Sequence, residues 1–272
     1  MTALVRLEME SRPERVMLVR SMLAGIAEPL ELDDELLDDM RTAVSEACNN
    51  VVQHAYGAGV GSLIVELTAD ETAVSVLVTD RGESIHEVAP RKGHMGIGLA
   101  VIGALSDRAE IESDPENGTE LLMTFGRRAP ATLEEGGAEN PLAGSVPGLH
   151  GDLIGQVRPV RLLAAVLGRT TRALAAGSHF SIDRIDELRA LTDAIAAHAE
   201  HAATGQVSFA LEVSARRLEV TVGPFRPGTV TTLVAAQPDP PIASRPPPRY
   251  QLIAEAPAGG ELLHAVLHDP RT

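Results

Sequence analysis

The chain has 272 residues, 44% of them hydrophobic, and carries 23 basic against 38 acidic side chains for a formal net charge of −15. At a prior of ~150 residues per domain this length holds about two domains, each long enough to bury its own core. A negative field repels a phosphate backbone, and no Trp, two Tyr and four Phe leave little to stack on bases, which excludes a general nucleic-acid binder.

In chain order, LVRLEME alternates as a strand, and Pro13 then opens a helix whose inner side carries Val16, Met17, Val19, Met22 and Leu23. A second helix starts near Asp33 and Asp34, whose carboxylates suit a helix N-terminus, and runs through Leu36, Leu37, Met40, Val44 and Val51 to Gly57. SLIVELTA and AVSVLVTD alternate as two strands of a hairpin turned at Asp70-Glu71. Gly96 to Leu105 reads as a helix, and AEIES and TELLMTF as two further strands. The order predicts an α/β (α+β) sandwich with helices on one face of a mixed sheet.

Residues 129–149, rich in Ala, Gly, Pro and Glu and without apolar period, read as a linker between domains at 1–128 and 150–272. The second half repeats the first. Arg12-Pro13-Glu14-Arg15 returns as Arg158-Pro159-Val160-Arg161, Ser45-Glu46-Ala47 as Thr192-Asp193-Ala194, and His54-Ala55 as His201-Ala202. The hairpin Leu63–Asp80 matches Val207–Pro224, and Glu120-Leu121-Leu122 matches Glu261-Leu262-Leu263. Several matches in order, with slowly drifting offsets, argue a duplicated domain.

Three segments of the first half carry chemistry. In SEACNNVVQHAY, Glu46 and Asn50 share one helix face; a carboxylate there can accept a proton, and a neutral amide oxygen one turn on can ligate Mg²⁺. In VTDRGES, Asp80 ends an apolar strand where a carboxylate can accept from an exocyclic amine, and Gly82 lets a flat ring approach the backbone. In GHMGIGLA, Gly93, Gly96 and Gly98 open a helix, whose free N–H groups suit phosphate. Taken singly, these are equally a solvated helix face, an Asp-x-Gly turn and a glycine-rich loop that fits neither a P-loop nor G-x-G-x-x-G.

Taken together and in order, Glu46-x-x-x-Asn50, Asp80-x-Gly82, Gly96-x-Gly98 and Asn117-Gly118-Thr119 resemble the four nucleotide boxes of the GHKL ATPases, the superfamily of gyrase, Hsp90 and histidine kinases. The similarity is closest to the small bacterial anti-sigma-factor serine/threonine kinases and covers about residues 5–127. The resemblance implies two tandem Bergerat-type ATPase folds, the second degenerate. It implies ATP and Mg²⁺ as cofactors, with Asn50 holding the metal and Glu46 as general base on a protein hydroxyl. Asp80 would read the adenine amine, with Gly82 beneath the ring and Thr119 nearby, while Gly96 and Gly98 cradle phosphate. Arg91 and Lys92, in a short lid between Glu83 and Gly93, are placed to neutralise γ-phosphate charge or are a solvated basic pair. The implied partners are a sigma factor and a STAS-domain anti-anti-sigma factor.

In the second half Asn50 corresponds to Ala197, Asp80 to Pro224 and Gly82 to Arg226, and the glycine lid becomes the proline-rich stretch Pro238–Pro248. Asp193 keeps an acid opposite Glu46 with nothing to act on, so this copy is expected not to bind ATP. Single-domain relatives work as homodimers, so the tethered copies are expected to form an intramolecular pseudo-dimer. Two activities fit the boxes: phosphotransfer to an antagonist, or a non-catalytic module that exchanges partners on ATP binding. The intact Glu46 favours the kinase.

The charge is uneven, with 11 basic and 23 acidic side chains in residues 1–128, so the first half suits a basic partner or a cation. Cys48 is the single cysteine, which excludes an internal disulfide and fits a reducing cytoplasm. It reads as buried packing, and His54 as packing or capping the helix end. No apolar run approaches the ~18 residues that cross a bilayer, and MTALVRLEMESR has acids where a signal peptide is apolar, so a cytoplasmic protein without membrane contact is expected.

Overall fold

A computed structural model describes residues 3–82, 95–114, 117–127, 146–214, 216–235, 250–257 and 259–269. The chain divides into two compact units, Met1–Leu142 and Ala143–Thr272. The linker expected at 129–149 lies outside the described residues up to position 145.

In the first unit, strand β1 (Ala3–Glu10) buries Val5, Leu7 and Met9 on one face, as a period of two requires. Pro13 opens α1 (Pro13–Ile26), where its missing N–H leaves no intrahelical bond unmade. The inner face of α1 is Val16, Leu18, Val19, Met22, Leu23 and Ile26, whereas Met17, expected inside, is exposed. Four consecutive apolar residues cover the helix too evenly for periodicity to choose among them. Helix α2 (Asp34–Asn50) is capped by Asp33, whose Oδ1 accepts from the Leu36 N–H at 2.8 Å. Its buried residues, Leu37, Met40, Ala43, Val44, Ala47 and Cys48, recur at helical spacing. The helix then widens into a π-helical turn, Val51–Ala55, where a continuous α-helix to Gly57 was expected.

Strands β2 (Ser62–Ala69) and β3 (Ala73–Asp80) are joined by a turn in which one Asp70 oxygen accepts from the Thr72 N–H, the Thr72 hydroxyl and the Ala73 N–H. Helix α3 (Met95–Leu105), β4 (Arg108–Asp114) and β5 (Gly118–Gly126) complete the unit. Helix α2 packs between α1 and α3 and touches β3 and β5, so the helices form one layer over the sheet. The strand order is β4-β5-β3-β2-β1.

Every pairing within this sheet is antiparallel, which corrects the mixed sheet expected from the sequence. Two helices separate β1 from β2, so the chain crosses the molecule twice and returns in the opposite direction. A single helix separates β3 from β4, which would set these two parallel, but β5 lies between them and pairs antiparallel with both.

The second unit runs β6 (Leu153–Val157), α4 (Leu162–Gly177), α5 (Ile182–Ala202), β7 (Val207–Ser214), β8 (Arg217–Phe225), α6 (Thr229–Ala235), β9 (Tyr250–Glu255) and β10 (Glu261–His268). Its strand order is β6-β7-β8-β10-β9, again antiparallel throughout. Element kinds and strand order thus follow the same sequence in both units. Val166, Leu167, Leu188, Phe209, Val220 and Leu263 are among its buried core residues. Among the described residues no helix is long and apolar enough to cross a membrane.

Candidate functional site

Ala47, Asn50, Val51, His54 and Ala55 follow one another at steps of three and one, so they share one face of α2 and its π-helical turn. That face lines a cavity of about 290 Å³, close to the lower bound for small-ligand pockets. Val78 and Asp80 come to it from β3, Leu99 from α3, Ile111 and Ser113 from β4, and Thr119 and Leu121 from β5. Seven of these twelve linings are apolar, and Asp80 is the single carboxylate.

Asp80 is 3% exposed. Its Oδ1 accepts from the Gly82 N–H at 2.9 Å, and the Thr119 N–H also bonds the carboxyl group. Burial raises its pKa above the ordinary carboxylate value, and these two N–H bonds oppose that shift without cancelling it. A buried carboxylate held by two N–H groups retains lone pairs for a further donor entering the cavity. The Thr119 hydroxyl lies 3.3 Å from the Ser113 hydroxyl, which gives the same wall a second polar group.

Close approach of backbone to backbone explains the neighbouring glycines. A Cβ on Gly82 would stand 2.0 Å from the Ala55 carbonyl oxygen, and one on Gly118, which has φ of +90°, would stand 2.1 Å from the Asp80 carbonyl oxygen. Gly82→Ala is therefore expected to force the chain after β3 away from the π-helical turn. It should destabilise the protein by ~1–3 kcal/mol, as overpacking does, read as a lowered midpoint in urea unfolding. Gly98 has a different neighbour: a Cβ there would stand 2.3 Å from Glu46 Oε1, so the bare glycine lets that carboxylate lie against the first turns of α3.

Of the residues singled out in the sequence, Asn50, Asp80 and Thr119 line the cavity together, and Gly82 packs against Ala55 of its wall. Glu46 and Gly98 meet each other but are not among its linings. Gly96 lies in the first turn of α3. Lys92, with Arg91 and the rest of the expected lid, lies outside the described residues. His54, read as packing or capping, lines the cavity; its position four residues after Asn50 is the signal that places it on the same face. Cys48 is buried, and burial alone pushes its thiol up to about 12, which leaves it inert.

Among the described residues no group of three or more His, Cys, Asp or Glu side chains is set to hold a metal. The candidate metal ligand is instead the neutral, half-buried amide of Asn50. One neutral oxygen suits a Mg²⁺ whose remaining ligands are phosphates and water, because that ion dehydrates reluctantly.

Residues 9–125, which contain every lining of this cavity, match the family described as histidine kinase-like ATPase domain. That part of the chain is similar to a histidine kinase-like ATPase domain. Its relatives include the proteins named serine-protein kinase RsbW of Bacillus thuringiensis (strain Al Hakam), Bacillus cereus (strain AH820) and Bacillus anthracis. Each is 29% identical over 134 residues, covering 44% of this chain and 82% of the relative. The description of that domain names an ATPase, and it is to this domain that the residues around the cavity are similar.

The match to the ATPase domain ends before the second unit. Phe225, 2% exposed, packs edge-on against His198 of α5, their ring centroids 5.3 Å apart and their planes at 69°. Burial holds the pKa of His198 below the ordinary imidazole value. The N–H of Arg226, the residue matched to Gly82, bonds the Ala202 carbonyl at 2.9 Å. Glu261 caps α6, accepting from the Val230 N–H and the Thr231 hydroxyl, both at 2.7 Å; the Thr231 bond does most to hold its carboxyl below the usual range. The proline-rich stretch Pro238–Pro248 lies outside the described residues.

Proposed function

We propose that the first unit binds Mg-ATP in the cavity around Asp80 and transfers the γ-phosphoryl group to a serine or threonine of an antagonist protein of the STAS type, and that the same chain sequesters a sigma factor. The observation that carries the reading is Asp80, a buried carboxylate with free lone pairs in a mostly apolar cavity that also holds Asn50 and Thr119. An adenine ring satisfies both features, with its exocyclic amine on the carboxylate and its faces on Val78, Leu99 and Leu121. Kinase activity is what the relatives' names state of those proteins.

In the transfer step the substrate hydroxyl oxygen bonds the γ-phosphorus as the bond to the β,γ-bridging oxygen breaks. The hydroxyl proton passes to Glu46, and ADP leaves. Asn50 is the residue that would hold Mg²⁺, and the ion's chemical contribution is to offset charge on the phosphates. Gly96, in the first turn of α3, suits the phosphates because its N–H has no intrahelical acceptor, and Gly98, two residues further in, is assigned to the same cradle.

We read the second unit as a degenerate copy of the same fold that does not bind nucleotide. The shared element order and the Phe225–His198 pair support this. Titration calorimetry of the full chain with Mg-ATP is then expected to give one site per chain. Light scattering is expected to return a 28.7 kDa monomer. No binding heat would end the nucleotide reading, and two sites per chain would end the reading of the second unit.

A further inference from the structure

Tyr56 lies just beyond the π-helical turn and is not among the cavity linings, yet its hydroxyl reaches the backbone that carries Asp80. The phenol oxygen accepts from the Arg81 N–H at 2.8 Å and donates to the Ser62 carbonyl at 2.6 Å. Strands β2 and β3 pair without interruption up to Leu63↔Asp80, and one further step of that register would set Ser62 opposite Arg81. At that step the tyrosine hydroxyl bonds a donor on one strand and an acceptor on the other. The ladder ends there. The chain then turns so that the Gly82 N–H points back to Asp80 Oδ1, against the Ala55 carbonyl. The ring lies against Gly61, where a Cβ would stand 2.0 Å from the ring carbon Cε1. Burial raises the phenol's pKa above its ordinary value, so it stays protonated and keeps its donor at neutral pH.

We infer that Tyr56 is a positioning residue for nucleotide recognition: its hydroxyl fixes the exit of β3 and thereby aims the Asp80 carboxylate at the 6-amino group of adenine. The inference rests on the ATP reading of the cavity. It separates two properties that a merely structural tyrosine would not separate, namely affinity for nucleotides bearing that amine and affinity for those lacking it.

The test compares full-length wild type and Tyr56→Phe in titrations with Mg-ATP and with purine riboside triphosphate, which lacks the 6-amino group. The phenylalanine keeps the ring against Gly61 and removes only the oxygen. ATP affinity is expected to fall ~5–10-fold, the equivalent of one hydrogen bond, while affinity for the analogue changes less than ~2-fold. Gly61→Ala, which displaces the ring without deleting the hydroxyl, is expected to reproduce the same loss of selectivity. It also serves as the test if the phenylalanine variant fails to fold. An equal loss for both nucleotides, or no loss for either, overturns the positioning role. Wild type that binds neither nucleotide overturns the ATP reading itself, a result distinct from a wild type that binds and a variant that binds equally well.

Discussion

Asp80→Asn is expected to weaken ATP binding by about 100-fold or more while the nucleotide-free protein melts no earlier than wild type at pH 7. A hydrogen bond to a charged group contributes ~1.5–3 kcal/mol, and the substituted amide also risks turning a donor toward the adenine amine, which is itself a donor. Stability runs the other way because burial raises the Asp80 pKa in the folded chain. For an acid shifted upward, the cost to folding is absent below the unfolded pKa, where both states are protonated. It grows as pH rises through the interval up to the folded pKa and is constant above it. Neutral pH lies where that cost is present, and the substitution removes it while leaving a carbonyl oxygen, with two lone pairs, for the Gly82 and Thr119 N–H groups. Differential scanning calorimetry with and without Mg-ATP reads both effects together. A variant that melts well below wild type in the absence of nucleotide would mean that Asp80 is there for the fold. The same linkage makes wild-type ATP affinity fall as pH is lowered into the range where Asp80 takes up a proton, since the protonated acid has one acceptor fewer for the amine.

Much of this site is legible in the sequence because its parts follow short-range rules. Glu46 and Asn50 are one helical turn apart, Asp80 ends an apolar strand, and Gly82 follows at the spacing of a turn, so each motif carries its own local geometry. What escaped the sequence depends on contacts between elements. No periodicity shows that β5 intervenes between β3 and β4, and the mixed sheet expected from the order of elements is antiparallel for that reason. Ile111 and Ser113 read as positions of an ordinary strand until β4 is brought alongside Thr119 and Leu121. Tyr56 reads as the end of a helix, and its role emerges only once Ser62 and Arg81 both lie within reach of one oxygen. In the second unit the sequence shows Ala197 and Pro224 at the positions matched to Asn50 and Asp80, but that Phe225 packs against His198 is a matter of packing.

Glu46→Gln is expected to reduce phosphate transfer to the antagonist by ~10²–10⁴-fold, the usual consequence of removing a general base, while ATP affinity changes only a few-fold. The split follows from where the side chain lies. Glu46 is on the same helix face as Asn50, one turn away, but the cavity is lined without it, so the nucleotide base has no contact to lose. Its Oε1 instead lies against Gly98, next to the helix start proposed to receive phosphate. Glutamine has the same shape and fills the same space, so neither α2 nor α3 needs to move; what it lacks is an oxygen able to take the hydroxyl proton. Gly98→Ala approaches the same question from the opposite side. A Cβ at that position collides with the far end of the Glu46 side chain, which can swing away, so this variant should fold normally and also transfer phosphate slowly, with the carboxylate intact but displaced. Single-turnover labelling at saturating Mg-ATP, with calorimetry for affinity, measures the two quantities separately. An unchanged transfer rate in Glu46→Gln would remove the general base from this residue. A wild-type chain that binds ATP and transfers nothing to any antagonist would make the domain a switch that exchanges partners on nucleotide binding.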